Sequence, residues 1–94
     1  MDNFYSLAGR RIRNERERRG FSREYLATAC GISSKHLYDI ECNGKGFSAV
    51  VLYKIAKNLE VSCEYIAEGS HVNVSQERLH ELKIIIEELF ELVQ

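Results

Sequence analysis

The 94-residue sequence has no proline, no tryptophan and a single methionine. It also lacks any apolar run near the roughly 18 residues that a membrane-crossing helix needs, which excludes a span of that kind. The opening, Met1-Asp2-Asn3 and then an arginine-rich stretch, has no apolar centre of the sort a secretion signal requires. A cytoplasmic location is therefore expected. Cysteine is sparse: Cys30, Cys42 and Cys63 form no C-x-x-C pair, and His36, His71 and His80 do not fall at zinc-ligand spacings. Three reduced thiols are expected, with no metal and no cofactor. There is no glycine-rich phosphate loop, no nucleophile beside a base and no pair of carboxylates in an apolar setting. No catalytic residue can be assigned, and an enzyme is not expected.

An excess of charge of one sign is also missing, since the net charge is only −1. The distribution is uneven, however. Residues 1–45 carry nine Lys/Arg against six Asp/Glu, and residues 46–94 carry four against eight. The two halves thus suit different partners. With 45% apolar and 29% charged residues, the composition is that of one small soluble domain with a modest core and room for an appendage.

What the chain has in abundance is one phrase, apolar-Ser-x-x-x-apolar. It occurs as "FSREYL" (21–26), "ISSKHL" (32–37), "FSAVVL" (47–52), "VSCEYI" (61–66) and "VSQERL" (74–79). Serine is a favoured helix N-cap, because its hydroxyl accepts a bond from a backbone N–H left unpaired in the first turn. An apolar residue just before the cap packs against the fourth helical residue. The pairs Phe21/Leu26, Ile32/Leu37, Phe47/Leu52, Val61/Ile66 and Val74/Leu79 have that spacing. The phrase marks five helix starts. Gly20, Gly31 and Gly69 stand where a left-handed stop is wanted, and Asn43 is given the same role. A first helix precedes them, with Phe4, Ala8, Ile12 and Arg16 on one face. The expected helices are 3–19, 23–30, 34–42, 49–59, 63–68 and 76–93, with no strand. Residues 1–69 are read as one domain and 70–94 as a C-terminal element.

The second and third helices are short and joined by a few residues, so they must cross steeply. Ala27 sits at the crossing, Gly31 permits the turn, and Leu26, Leu37 and Ile40 supply the apolar contacts. With "AGRRIRNER", "GFSREYLATACGIS", "LYDIE" and "LYKIAKNLEVSCEYI" in order, residues 8–69 resemble the lambda-repressor-like (Xre-type) helix-turn-helix family. The resemblance implies an all-α, five-helix DNA-binding domain whose third helix enters the major groove. This chain has Asn43 and Phe47 where the family often has glycine and proline, and a third helix poorer in Gln and Arg.

Ser34, Lys35, Tyr38 and Asp39 lie opposite Leu37 and Ile40 and point outward; by resemblance they face base edges. Lys35 would donate to guanine and Asp39 would accept from cytosine. The plainer alternative is a surface Lys35–Asp39 ion pair, worth roughly 0.2–0.5 kcal/mol. By resemblance Arg23 and Lys45 hold the DNA backbone, with solvated charge as the alternative. Helical geometry spreads the six arginines of the first helix around its cylinder, and Arg13 is the best phosphate candidate among them. Arg16 continues the buried face, and by resemblance it pairs with Glu41 as a structural link.

The segment from Ser75 onward is different. Leu79, Leu82, Ile86, Leu89 and Val93 step by three and four, flanked by Ile85 and Leu92 and widened by Ile84 and Phe90. One amphipathic helix cannot bury so broad a stripe by itself. A dimer interface through Leu79, Leu82, Ile85, Ile86, Leu89, Phe90 and Val93 is expected, with folding back on the core as the alternative. The resulting expectation is a sequence-specific double-stranded-DNA-binding transcriptional regulator, more in keeping with a repressor than an activator. It would bind a two-fold symmetric operator as a homodimer. Two other readings stand beside it: an antitoxin whose tail binds a toxin, and a protein-interaction module on the same fold.

Overall fold

The computed structural model describes residues 3–69, 84 and 87–89. Five helices follow one another: α1 (Phe4–Arg18), α2 (Arg23–Cys30), α3 (Ser34–Cys42), α4 (Ala49–Leu59) and α5 (Cys63–Glu68). No strand occurs among the described residues. Of the expected sixth helix, only residues 84 and 87–89 are described, and they are helical.

The serines act as caps. The Ser22 hydroxyl accepts from Tyr25 N–H at 3.0 Å, Ser33 from His36 at 3.0 Å, Ser48 from Val51 at 3.2 Å and Ser62 from Tyr65 at 2.9 Å. Asn3 does the same for α1, accepting from Ser6 N–H at 2.8 Å. The apolar partners Phe21, Ile32, Phe47, Leu52 and Val61 pack against the core, where Leu26, Leu37 and Ile66 are fully buried. The fifth pair, Val74/Leu79 with Ser75, lies outside the described residues.

Three of the connections share one geometry. At the end of α2, Gly31 is left-handed (φ 70°); its N–H donates to Thr28 O at 3.1 Å, and Ile32 N–H reaches Ala27 O at 3.0 Å. The same pair of hydrogen bonds closes α1 at Gly20 and Phe21, and α4 at Glu60 and Val61. One apolar residue therefore ends one helix and introduces the next, and a serine caps that next helix at once. Residues 20–22, 31–33 and 60–62 are all connectors of this kind. In the third, Glu60 (φ 56°) occupies the place of glycine. The end of α3 differs from expectation. Asn43 is not left-handed (φ −117°), and Gly44 (φ 65°) makes the turn one residue later. Glycine carries no Cβ to oppose that conformation, so it takes the role ahead of asparagine.

The core collects Ala8 and Ile12 from α1, Leu26, Ala27 and Cys30 from α2, Leu37 and Ile40 from α3, Ile55, Ala56 and Leu59 from α4, and Ile66 from α5. Fully burying each large side chain contributes about 1.5–3 kcal/mol. Phe4, expected on the buried face, is instead 48% exposed, its ring 5.1 Å from Tyr5 at the start of α1. Gly9 fixes the α1–α3 crossing, because a methyl group there would overlap the carbonyl of Ile40.

Candidate nucleic-acid interface

The α2–turn–α3 unit positions one face of α3. Leu37 and Ile40 point into the core and are fully buried, so Lys35 and Tyr38 face outward and are exposed. Ser34 and Asp39 are half-buried at the edges of that face. Lys35 extends furthest, with its side chain 85% exposed and its Nζ 3.4 Å from Asp39 Oδ2. Asp39 is more occupied than its sequence position suggests. Its Oδ1 accepts from the Asn43 side-chain amide at 2.8 Å, and its carbonyl accepts from Asn43 N–H at 2.9 Å and Lys45 N–H at 3.2 Å. The Asn43 bond, aided by Lys35 and Lys45, holds the Asp39 carboxyl below the usual carboxylate range. The same bonds shape the loop from which the exposed Lys45 projects.

That loop packs on the start of α1. Gly44 lies against Ser6 and Gly46 against the Tyr5 ring, which meets Phe47 edge-on at 5.2 Å. Arg10 and Arg13 line an open polar cleft beside it with Ser6, Cys42 and Gly44. Arg13 is 47% exposed and 3.6 Å from Glu17, and its Nη1 is 3.9 Å from Cys42 Sγ.

Behind the face lies a buried ionic cluster. Arg16 Nε donates to Glu41 Oε2 at 2.8 Å and its Nη2 to Oε1 at 3.1 Å, while Nη1 reaches the Phe21 carbonyl at 2.8 Å. The hydrogen bond to Glu41 raises the Arg16 pKa despite the burial that opposes it. Arg23 joins this cluster, its Nε donating to Glu41 Oε1 at 3.1 Å. Its guanidinium carbon stands 5.0 Å from the centre of the Tyr38 ring. One carboxylate thus ties α1, α2 and α3 together.

Other arginines of α1, and Arg19 at its C-cap, are engaged elsewhere. Arg11 Nη1 donates to the Ile66 carbonyl at 2.9 Å, which fastens α5 to α1. Arg18 bonds Glu15 at 2.8 Å, and Arg19 is 3.9 Å from Glu60. The cysteines are free: Cys30 buried, Cys63 half-buried and Cys42 exposed. Burial pushes the Cys30 thiol pKa up, so it is a core residue and a poor nucleophile. No group of His, Cys, Asp or Glu among the described residues could hold a metal ion. No described helix is long and apolar enough to cross a membrane. Of the expected dimer residues, Leu89 is described and is 56% exposed; Ile84, also described, is 41% exposed. Leu79, Leu82, Ile85, Ile86, Phe90 and Val93 lie outside the described residues.

Sequence reasoning missed Gly9, the Asn43–Asp39 bond and the placement of Arg23 against Glu41 and Tyr38. Only Gly9 left a signal. A glycine inside a helix costs about 1 kcal/mol relative to alanine, so its presence points to a close approach.

The helix-turn-helix family model (HTH_3) matches residues 12–66, more than half of the chain. The chain belongs to the lambda-repressor-like (Xre-type) helix-turn-helix family of DNA-binding regulators. No curated protein matches its sequence. Among solved structures, it is similar to the restriction-modification controller protein C.AhdI from Aeromonas hydrophila, with 26% identity and a TM-score of 0.62 over 66% of this chain and 94% of that one. It is also similar to the clp gene regulator ClgR from Corynebacterium glutamicum, with 25% identity and a TM-score of 0.68 over 86% and 90% of the two chains. A chain of the SinR/SinI protein complex shares the fold at 22% identity and a TM-score of 0.64, over 94% of this chain and all of that one.

Proposed function

We propose that this regulator binds double-stranded DNA in a sequence-specific way through α3, as a repressor acting in the cytoplasm. The observation that carries this is the outward face of α3. Lys35 and Tyr38 project from a helix locked behind by Leu37, Ile40 and the Arg16–Glu41 pair. Lys35, with Ser34, Tyr38 and Asp39, faces base edges in the major groove. Arg23, Lys45 and Arg13 surround that face and contact phosphates, which fix position without reading sequence. The Lys35–Asp39 contact is long and exposed, so it yields readily to a base.

Residues 1–69 form the DNA-binding domain, and 70–94 form the element that pairs two copies. The support is the exposure of Ile84 and Leu89 in the single chain, together with the apolar seam in the sequence. Pairing across a two-fold axis would set two α3 helices roughly 34 Å apart, one turn of duplex. Selection of bound DNA from a random duplex pool tests the reading. A two-fold symmetric site is expected, and recovery of no preferred sequence would overturn it. Light scattering of the whole chain and of Ile86→Lys tests the pairing. A dimer that becomes a monomer is expected. A wild-type monomer would leave the tail for another protein, as in an antitoxin, or for the core.

A further inference from the structure

The contacts of Arg23 carry one step more, which rests on the duplex-binding reading above. Arg23 is the first residue of α2, directly after the Ser22 cap. A solvated arginine in that place would sweep a wide volume and lose that freedom on gripping a phosphate. This arginine is already held. Its Nε donates to Glu41 Oε1 at 3.1 Å, which leaves the two terminal nitrogens of the guanidinium as a fork. The guanidinium carbon lies over the Tyr38 ring, 5.0 Å from its centroid, within cation–π reach, and the ring limits the swing of that fork. The Arg23 side chain is 27% exposed, so the outer edge of the group reaches solvent. Glu41 cannot neutralise it. This carboxylate is fully buried and shared with Arg16, and one negative charge between two guanidinium groups leaves a positive charge at the open end.

We infer that Arg23 is a preorganised phosphate clamp, and that Tyr38 is a positioning residue for it rather than a reader of bases. Tyr38 belongs to α3 and Arg23 to α2, so their contact couples the backbone grip to the reading helix. Clamp and reading side chains meet the duplex in one fixed register. The inference moves Tyr38 out of the set that determines sequence and leaves Lys35 as its centre.

The test uses the full chain and two duplexes, one selected from a random pool and one scrambled, with affinity followed by fluorescence anisotropy across a salt series. Thermal melting of each variant comes first; Tyr38 is 46% exposed, so its substitution should leave the fold intact. Arg23→Ala should weaken both duplexes about ten-fold and flatten the salt slope by about one unit. Tyr38→Leu should weaken both by a similar ratio, about three- to ten-fold, because loss of the stack frees the clamp. Tyr38→Phe keeps the ring and should bind as the wild type does. The double variant should be no weaker than Arg23→Ala alone. The inference is overturned if Tyr38→Leu harms only the selected duplex, if its loss adds fully to that of Arg23→Ala, or if Tyr38→Phe is as weak as Tyr38→Leu. A wild-type chain with no salt-dependent affinity for either duplex would remove the underlying reading, and the clamp with it.

Discussion

Three arginines of α1 and the cations bordering the α3 face are chemically alike and are put to opposite uses. On α1, Arg11, Arg16 and Arg18 each hold a carbonyl or carboxylate of the same chain at 2.8–3.1 Å. They fasten α5, α3 and the helix itself. Around α3, Lys35 and Lys45 project into solvent and hold little, and Arg23 stands between the two groups, anchored at Nε and open at its tip. The lesson is that counting positive charge says little about where a duplex would lie. What separates a strut from a contact is whether an acceptor of the same fold already occupies the side chain.

The largest effect expected from breaking this contrast is on the strut side. Arg16→Ala would remove two of the charged hydrogen bonds of the buried Glu41 and leave it the one from Arg23; taking a partner from a buried pair costs up to about 3–5 kcal/mol. Thermal unfolding should show a steep fall in melting temperature. Unchanged melting with DNA binding alone reduced would place Arg16 among the outward cations. Next comes Gly9→Ala, which pushes a methyl group into the Ile40 backbone and should cost about 1–3 kcal/mol in denaturant unfolding. A gain in stability, as helix propensity alone would give, would refute the close α1–α3 approach.

On the contact side, Lys35→Ala should leave the melting temperature in place and cost about 1–3 kcal/mol at one preferred base pair. Site selection with the variant reads this directly, and an unchanged selected site would count against α3 as the reader. The smallest effect lies away from both groups. Glu60 holds a left-handed conformation that costs a non-glycine residue about 1–2 kcal/mol. Glycine relieves that strain but has more freedom to lose on folding, by roughly 0.5–1 kcal/mol. The Arg19 contact given up is 3.9 Å long, and Glu60 is 78% exposed there, so little is lost with it. Glu60→Gly should therefore stabilise the chain by roughly 0.5 kcal/mol, measured as a higher denaturant midpoint. A fall in the midpoint would mean that the Arg19 contact matters more than the turn.

These cases also show what the sequence made legible. Helix starts were readable because a serine hydroxyl and the N–H three residues on lie within one turn, so Ser22, Ser33, Ser48 and Ser62 needed no tertiary information. Glycine stops at Gly20 and Gly31 were readable for the same local reason. Glu60 was not, because its left-handed turn is enforced by the packing of Val61 and gives no sign in its own chemistry. Asn43 was misplaced because Gly44 follows it and takes the turn, which frees the asparagine amide for Asp39. The candidate site divides in the same way. The outward face of α3 follows from helical spacing. The anchoring of Arg23 depends on Glu41, 18 positions away in sequence, and becomes visible only when the helices are packed.

The most direct test of the central claim, that the cations bordering the α3 face meet a duplex while the strut arginines Arg11, Arg16 and Arg18 do not, is the salt dependence of duplex affinity for the wild type, Lys45→Ala and Arg18→Ala. Each phosphate contact contributes about −0.9 to the slope of log affinity against log salt concentration. With Arg13, Arg23 and Lys45 engaged, a slope near −3 or steeper is predicted for each protomer. Lys45→Ala should flatten it by about one unit, whereas Arg18→Ala should leave it unchanged. A wild-type affinity indifferent to salt, or a slope that responds to Arg18 and not to Lys45, would contradict the account.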